Sequence, residues 1–531
     1  MKRLFQNVIF VPLAAMLMSQ SAPASVLATP ALAFNKMSLS PSASGYRNRT
    51  SGGLNNVGSN GYYWSAAACS RANAYNLNFN ASNVNPLNNN NRANGFSVRA
   101  VRAYTTGAEP LSNYYMKLSQ RELNHLLTLA YLDARKNERN ETAPLRFELN
   151  FEKYIRNLAE RIYTRQWRPS PQICFIITKP TIREVFAPAF EDRVVSHLLF
   201  NMIAPLAERS FIYDSYSCRK GKGTLFGVDR FEHFLRGATE NWKKPAFVLS
   251  ADIKGYFMHI NKAILYMELC KMLSKYGDRY VSAGTRWDDI VDMHLADYLS
   301  GSIIFRNPTD NCIRIGSPRD WEPLPPQKSQ FYSPMGTGIT IGDVMSQLFS
   351  NVYLNPLDQF CKRELRMDRY GRYVDDARAV AATEEFLEAC IPLMDEFLQS
   401  ELKLSLHPEK TKIASTRGEN IFLGADCREH RRYCVNKTIS NFKAAVYELE
   451  SIFVQNDTPL HIDDYYIALS RLNAGLGYLS HFKEWRMIDR ILSGSPLNQI
   501  FAFASDYSRA VIKPEIKNIL NTYDYAQIYL C

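Results

Sequence analysis

Residues 370–381 read Tyr370-Gly371-Arg372-Tyr373-Val374-Asp375-Asp376-Ala377-Arg378-Ala379-Val380-Ala381. Tyr370–Tyr373 and Ala377–Val380 flank Val374-Asp375-Asp376 as the strands of a hairpin would, with the paired acids at its tip. About 120 positions upstream, Pro245-Ala-Phe-Val-Leu-Ser-Ala-Asp252 predicts an apolar strand that ends on a third acid. An isolated Asp-Asp pair in a turn is usually solvated turn chemistry. Three carboxylates brought together are different: they cannot all stay ionised without cations, so the set either binds metal or raises its pKa values. Hard oxygen ligands favour Mg²⁺, with Mn²⁺ as a substitute, and two ions about 3.5–4 Å apart would serve phosphoryl transfer.

Outward from the hairpin, Gly342 to about Leu365 predicts a long amphipathic helix with Val344, Leu348, Val352 and Leu354 on or near its apolar face. Thr383-Glu384-Glu385 predicts a helix start before Phe386–Leu402. Further upstream, Ser119-Gln120-Arg121-Glu122 has capping-box spacing before Leu123, Leu126 and Leu127. A Pro-punctuated stretch, Arg168 to Pro180, reads as loops and short strands. Strands alternating with helices imply an α+β layer structure.

The acids keep particular company. Tyr373-Val374-Asp375-Asp376 matches the YxDD box of reverse transcriptases, and Asp252-Ile253-Lys254-Gly255-Tyr256-Phe257 resembles their first palm carboxylate motif. Between them, Gly342 to Asn351 resembles the family's template-and-nucleotide helix. Leu406-His407-Pro408-Glu409-Lys410-Thr411 resembles the downstream lysine motif, and Phe422-Leu423-Gly424 the primer-grip turn. Where many members have Ser-Pro, this chain has Ser346-Gln347, the form found in reverse transcriptases of diversity-generating retroelements. Arg183-Glu184-Val185-Phe186-Ala187, Phe190-Glu191-Asp192-Arg193, and Ser217-Cys218-Arg219-Lys220-Gly221-Lys222-Gly223-Thr224 resemble that group's finger motifs. Gly477 to Phe482 resembles its thumb, so the resemblance covers roughly residues 112–495.

The resemblance implies a right-hand polymerase: fingers at 109–244, palm at 245–434, thumb and tail at 435–531. It implies RNA-directed DNA synthesis, error-prone at template adenines. Asp252 and Asp375 would ligate both ions, with Asp376 supporting and Ile253 offering its carbonyl. Phe257 would be the aromatic gate that crowds a ribose 2′-hydroxyl; a core aromatic on a strand is the alternative. Arg219 and Lys220 would hold the triphosphate, with Lys179 and Arg183 as weaker candidates. Gln347 would lie near the templating base pair unless it faces the core. Lys410 would protonate the leaving pyrophosphate. Template RNA, a DNA or RNA primer and dNTPs follow as partners. So does a small basic helical accessory protein, expected to be oligomeric.

The formal charge of +11 is unevenly spread. Residues 1–108 hold nine of the 63 Lys and Arg and no acid, leaving 54 against 52 beyond residue 108, so any basic groove there arises from placement. Lys437, Lys443, Arg471, Lys483, Arg486 and Arg490 are cations that could follow a nucleic-acid backbone. Residues 1–44 form a leader resembling an export signal in part, but its apolar run from Val8 to Met18 is short of a membrane span and interrupted by Pro12. RNA and dNTP substrates point to the cytoplasm, with no membrane partner. Residues 45–108 are an Asn-rich, poorly ordered segment, with strand expected at Tyr75–Phe79 and Phe96–Val101. Its NGFSVR ending resembles that of the lectin-like variable proteins such retroelements diversify. Asparagine codons are adenine-rich, so this segment reads as a translated template repeat.

Ten cysteines show no CxxC spacing, which suits a reducing compartment and gives no structural zinc; Cys427, His430 and Cys434 are too scattered to form such a site. His197, His259 and His407 read as packing or hydrogen-bonding residues. Two rivals stand beside this reading: a retron, intron-associated or phage-defence reverse transcriptase, and, in another class, a displayed lectin-like binding protein.

Overall fold

The computed structural model describes residues 118–520 apart from 137, 140, 179–180, 278, 283, 430, 455–459 and 483, together with five strands between residues 44 and 91. Those five form one sheet in the spatial order Leu54–Val57, Ser44–Arg47, Gly61–Ala68, Asn73–Phe79, Val84–Asn91. The strand expected at Tyr75–Phe79 falls within the fourth. The strand expected at Phe96–Val101, the leader and Lys179 lie outside the described residues.

Two compact units make up the chain: Met1–Ile212 with Lys254–Asp358 and Glu396–Ser405, and Tyr213–Ile253 with Gln359–Asp395 and Leu406–Cys531. In the first, Ser119 caps the helix Gln120–Ala134 with the full capping box the sequence predicts. Leu123, Leu127 and Ala130 fall on one face of that helix and are completely buried. Around them Tyr131, Phe147, Phe151 and Phe190 form an aromatic cluster with centroids 4.8 to 6.3 Å apart. The long helix Phe190–Ser210 runs through this core. The hairpin Ile173–Ile177 and Arg183–Ala187 gains a third, parallel strand from Ile313–Arg314.

Two acids of the expected finger motifs turn out to be anchors of this unit. Glu184 is buried and accepts from Trp321 Nε1 (2.8 Å), Ser329 Oγ (3.0 Å) and the Gln330 N–H (2.7 Å), which ties down the loop before the helix Val344–Arg363. Asp192 is buried at the start of its helix and accepts from the Ser170 N–H at 2.6 Å. Bonds to a buried carboxylate are stronger than neutral ones, and losing them is correspondingly costly.

The second unit is built on a four-stranded antiparallel sheet, in the order Tyr370–Tyr373, Asp376–Ala381, Phe247–Ala251, Lys412–Ser415. Its core gathers Tyr216, Val228, Phe231, Val248, Val380 and Phe422, and extends to Val446, Leu472 and Leu476 of the C-terminal helices. The fold is thus α+β, as the alternation of patterns predicts. Among the described residues no helix is long and apolar enough to cross a membrane.

Burial raises the Asp192 carboxyl to about 6, against the Ser170 N–H bond and the Arg306 charge, which act to lower it. Its unfolded value is about 3.9, so folding takes up a proton between those two values. The associated stability is fully present below about pH 4 and is lost as pH rises through about 6. In urea titrations, wild-type stability should fall by up to about 3 kcal/mol across that window relative to Asp192→Asn, and parallel pH profiles would count against it.

Candidate active site

The strand register brings the distant acids together. Ala251 pairs with Ala377 in antiparallel strands, so Asp252, one residue beyond Ala251, and Asp376, one residue before Ala377, emerge at the same end of the sheet. Tyr373 pairs with Asp376, leaving Val374 and Asp375 as a two-residue turn. The hairpin is the predicted one, with Asp376 already the first residue of the returning strand.

Val374 stands in the left-handed region at φ 57°, which costs a β-branched residue energy and persists only where the surroundings impose it. The Val374 N–H donates to Ser217 Oγ at 3.2 Å, and its carbonyl accepts from Arg372 Nη1. Arg372 is completely buried. Its own N–H donates to the Asp214 carbonyl, and its carbonyl accepts from the Tyr216 N–H, both at 2.9 Å. The segment Asp214–Ser217, which leads into the basic motif read from the sequence, thus clamps the strand that carries the acids.

The three carboxylates share one electrostatic neighbourhood. Burial, then the Asp252 charge, raises Asp375 to about 6, and Asp376 adds to the same effect. Asp376 is also raised, by burial first and by Asp252, while Arg378 and Lys410 act to lower it. Lys410 Nζ bonds Asp252 Oδ2 at 2.9 Å, and this bond, with the surrounding acids, raises the lysine pKa. The Asp252 carbonyl accepts from the His407 N–H at 2.7 Å, and Ile253 bridges to Leu406. The Leu-His-Pro-Glu-Lys stretch is therefore fastened directly beside the first acid.

Asp252 is turned to Lys410 and Asp376 to Arg378. Correspondingly, among the described residues no three His, Cys, Asp or Glu side chains stand close enough to hold an ion as they are. The donor set nevertheless suits a hard divalent cation. All its ligating atoms would be carboxylate or carbonyl oxygens, and Asp375 is desolvated beside two like charges, which a cation would relieve.

The other predicted residues divide by unit. Arg219 and Lys220 belong to the unit of the acids; Arg219 donates to the Ser215 carbonyl at 2.8 Å, and Lys220 is exposed. Phe257, Gln347 and Arg183 belong to the other unit. Phe257 sits half-buried on the short helix Tyr256–His259, where the core-strand alternative had placed it on a strand. Gln347 is exposed on its helix, which removes the core-facing alternative, and Arg183 is exposed at the start of its strand. Of the C-terminal cations, Arg471 is engaged with Glu448 at 2.8 Å. Cys427 and Cys434 are buried free thiols pushed up by burial to about 12 and about 11.

Sequence reasoning passed over two arginines. Arg372 is the buried clamp described above. Arg378 pairs with Asp376, its guanidinium over the Phe422 ring at 5.0 Å. Its i+2 spacing from Asp376 on a predicted strand was the available signal, since such residues share a face. The Phe422–Gly424 stretch is itself a two-residue hairpin turn: Phe422 pairs with Ala425, and Leu423 and Gly424 are both left-handed, at φ 51° and 85°. Tyr478 Oη donates to the Leu423 carbonyl at 2.7 Å and steadies it.

Gly371 lies in the first strand of the hairpin, and a Cβ there would meet Tyr216 Oη at 2.0 Å and Cζ at 2.7 Å. Tyr216 is completely enclosed and has no room to retreat. Gly371→Ala should destabilise the protein by about 1–3 kcal/mol, measured by urea unfolding; an unchanged midpoint would show that the Tyr216 ring is free to move.

Residues 177–427 match the family described as reverse transcriptase (RNA-dependent DNA polymerase). Protein YkfC of Escherichia coli (strain K12) is 22% identical over 318 residues, covering 53% of this chain and 74% of that protein. Among solved structures, apo telomerase from Candida tropicalis aligns with a TM-score of 0.37 at 11% identity, covering 61% of this chain and 59% of that one. Telomerase from Candida albicans in complex with a TWJ fragment of telomeric RNA aligns with a TM-score of 0.36 at 11% identity, covering 66% and 61%. The chain thus spans about three fifths of those telomerases. A reverse transcriptase domain is thus present over residues 177–427.

Proposed function

We propose that this protein copies a template-repeat RNA into cDNA with errors concentrated at adenines, as the polymerase of a diversity-generating retroelement. The observation that carries the polymerase chemistry is the convergence of Asp252, Asp375 and Asp376 at one end of the sheet, with Lys410 bonded to the first of them. The retroelement reading rests on the Ser346-Gln347 motif, with Gln347 exposed on its helix, and on the Asn-rich segment upstream. The fingers, palm and thumb division at residues 109, 245 and 435 belongs to the same proposal.

In this mechanism Asp252 and Asp375, with the Ile253 carbonyl and support from Asp376, would hold two Mg²⁺ ions, with Mn²⁺ as a substitute. When bound, the ions supply activation of the primer 3′-hydroxyl and neutralisation of charge on the phosphate oxygens. Asp375, although raised to about 6, would serve as a carboxylate ligand at neutral pH. Lys410, kept protonated by its acidic neighbours, carries at Nζ the proton to be passed to the leaving pyrophosphate. Arg219 and Lys220 contact the triphosphate, Gln347 borders the templating pair, and Phe257 screens the sugar. Lys179 and Arg183 remain secondary nucleotide contacts. A small basic helical accessory protein, oligomeric in form, would bring the structured template RNA.

Asp252→Asn and Asp375→Asn should each lower primer extension on an RNA template by at least about a thousandfold while the circular dichroism spectrum is kept. Retained extension would remove the polymerase assignment. Sequencing the cDNA then separates the subfamilies: substitutions clustered at template adenines support the retroelement, and uniform fidelity favours a retron, intron-associated or defence enzyme.

A further inference from the structure

Two basic side chains neutralise the acid cluster, and they are held differently. Lys410 reaches Asp252 from a flexible stem with its side chain 58% exposed, whereas the Arg378 side chain is 13% exposed. Arg378 is fixed by four contacts, one of them a 3.0 Å bond from Nη1 to the Ala377 carbonyl. Its Nη1 bonds Asp376 Oδ1, its Nη2 donates to the Ile421 carbonyl at 3.3 Å, and its guanidinium lies 5.0 Å from the centre of the Phe422 ring. Phe422 is itself 1% exposed and packs on Phe231 and Tyr216, at 5.4 and 6.4 Å between centroids. A planar guanidinium suits this combination of stacking and two-directional donation; an ammonium does not.

We infer that Arg378 is a positioning residue: it holds Oδ1 of Asp376, leaves Oδ2 as the oxygen that Asp376 can offer to a cation, and ties that carboxylate to the Phe422–Gly424 turn. This rests on the metal-dependent polymerase reading and deepens it. It explains why three clustered acids act unequally. Among the described residues Asp375 forms no ion pair within 4 Å, while Asp376 has one oxygen committed to Arg378. Because Ile421 and Phe422 lead directly into the turn resembling a primer grip, a shift of that turn would be felt at the carboxylate through a single rigid side chain.

The test uses the full chain with Mn²⁺ as the probe, titrated calorimetrically without nucleotide, beside steady-state primer extension. Removing the cation in Arg378→Leu should tighten Mn²⁺ binding by at least about fivefold, since a like charge no longer opposes the ion. The same change should lower kcat by at least about tenfold with little change in the dNTP KM, because the freed carboxylate loses its orientation. Arg378→Lys should return Mn²⁺ affinity towards wild type while recovering kcat only in part, and it serves as the folding-competent comparison if the leucine variant is unstable. Mn²⁺ binding that depends on Asp375 yet is unchanged in Arg378→Leu, with kcat also unchanged, overturns this inference alone. Binding that Asp375→Asn fails to weaken overturns it together with the metal reading on which it rests.

Discussion

Like charges held at one desolvated sheet end set the terms for the rest of this protein. Two opposed strands, paired at Ala251 and Ala377, deliver acids to a common point, and burial there raises the carboxyl pKa values because charge is poorly solvated. The molecule answers with local cations. Lys410 bonds Asp252 and Arg378 bonds Asp376, while Asp375 feels Lys410 only through space. A site arranged in this way is poised for a divalent cation, since every charge that it forces together is one that the ion would neutralise.

The same region stores backbone strain. Val374 and Leu423 both occupy left-handed conformations that branched or bulky residues avoid. Each is held from outside its own turn, Val374 by Ser217 and Arg372, Leu423 by Tyr478. Rigid support of this kind fixes the hairpin that carries Asp375 and Asp376. Fully enclosed Arg372 and Tyr216 make the support stiff, and Gly371 is the concession that lets Tyr216 approach the strand.

Much of this was legible in advance because it follows short-range rules. The capping box at Ser119, the strand before Asp252, the hairpin around Val374-Asp375 and the helix from Val344 all depend on neighbours a few residues apart. The finger motifs were legible as patterns but their acids were not legible as anchors. Nothing within a few residues of Glu184 indicates that Trp321, Ser329 and Gln330 will converge on it. Arg378 lay between these cases: its shared face with Asp376 was readable, but its seat on Phe422 needed the second hairpin to be in place.

The sequence by itself determined which residues could do the chemistry, because oxygen donors, a lysine beside them and their order along the chain are matters of covalent identity. Only the tertiary structure decided how those charges are shared: which acid is neutralised by which cation, which carboxyl stays desolvated without one, and which arginine joins the acids to a distant turn. The physical reason is that pairing and desolvation energies depend on through-space distance and burial, and strands 120 residues apart acquire these only when the sheet closes.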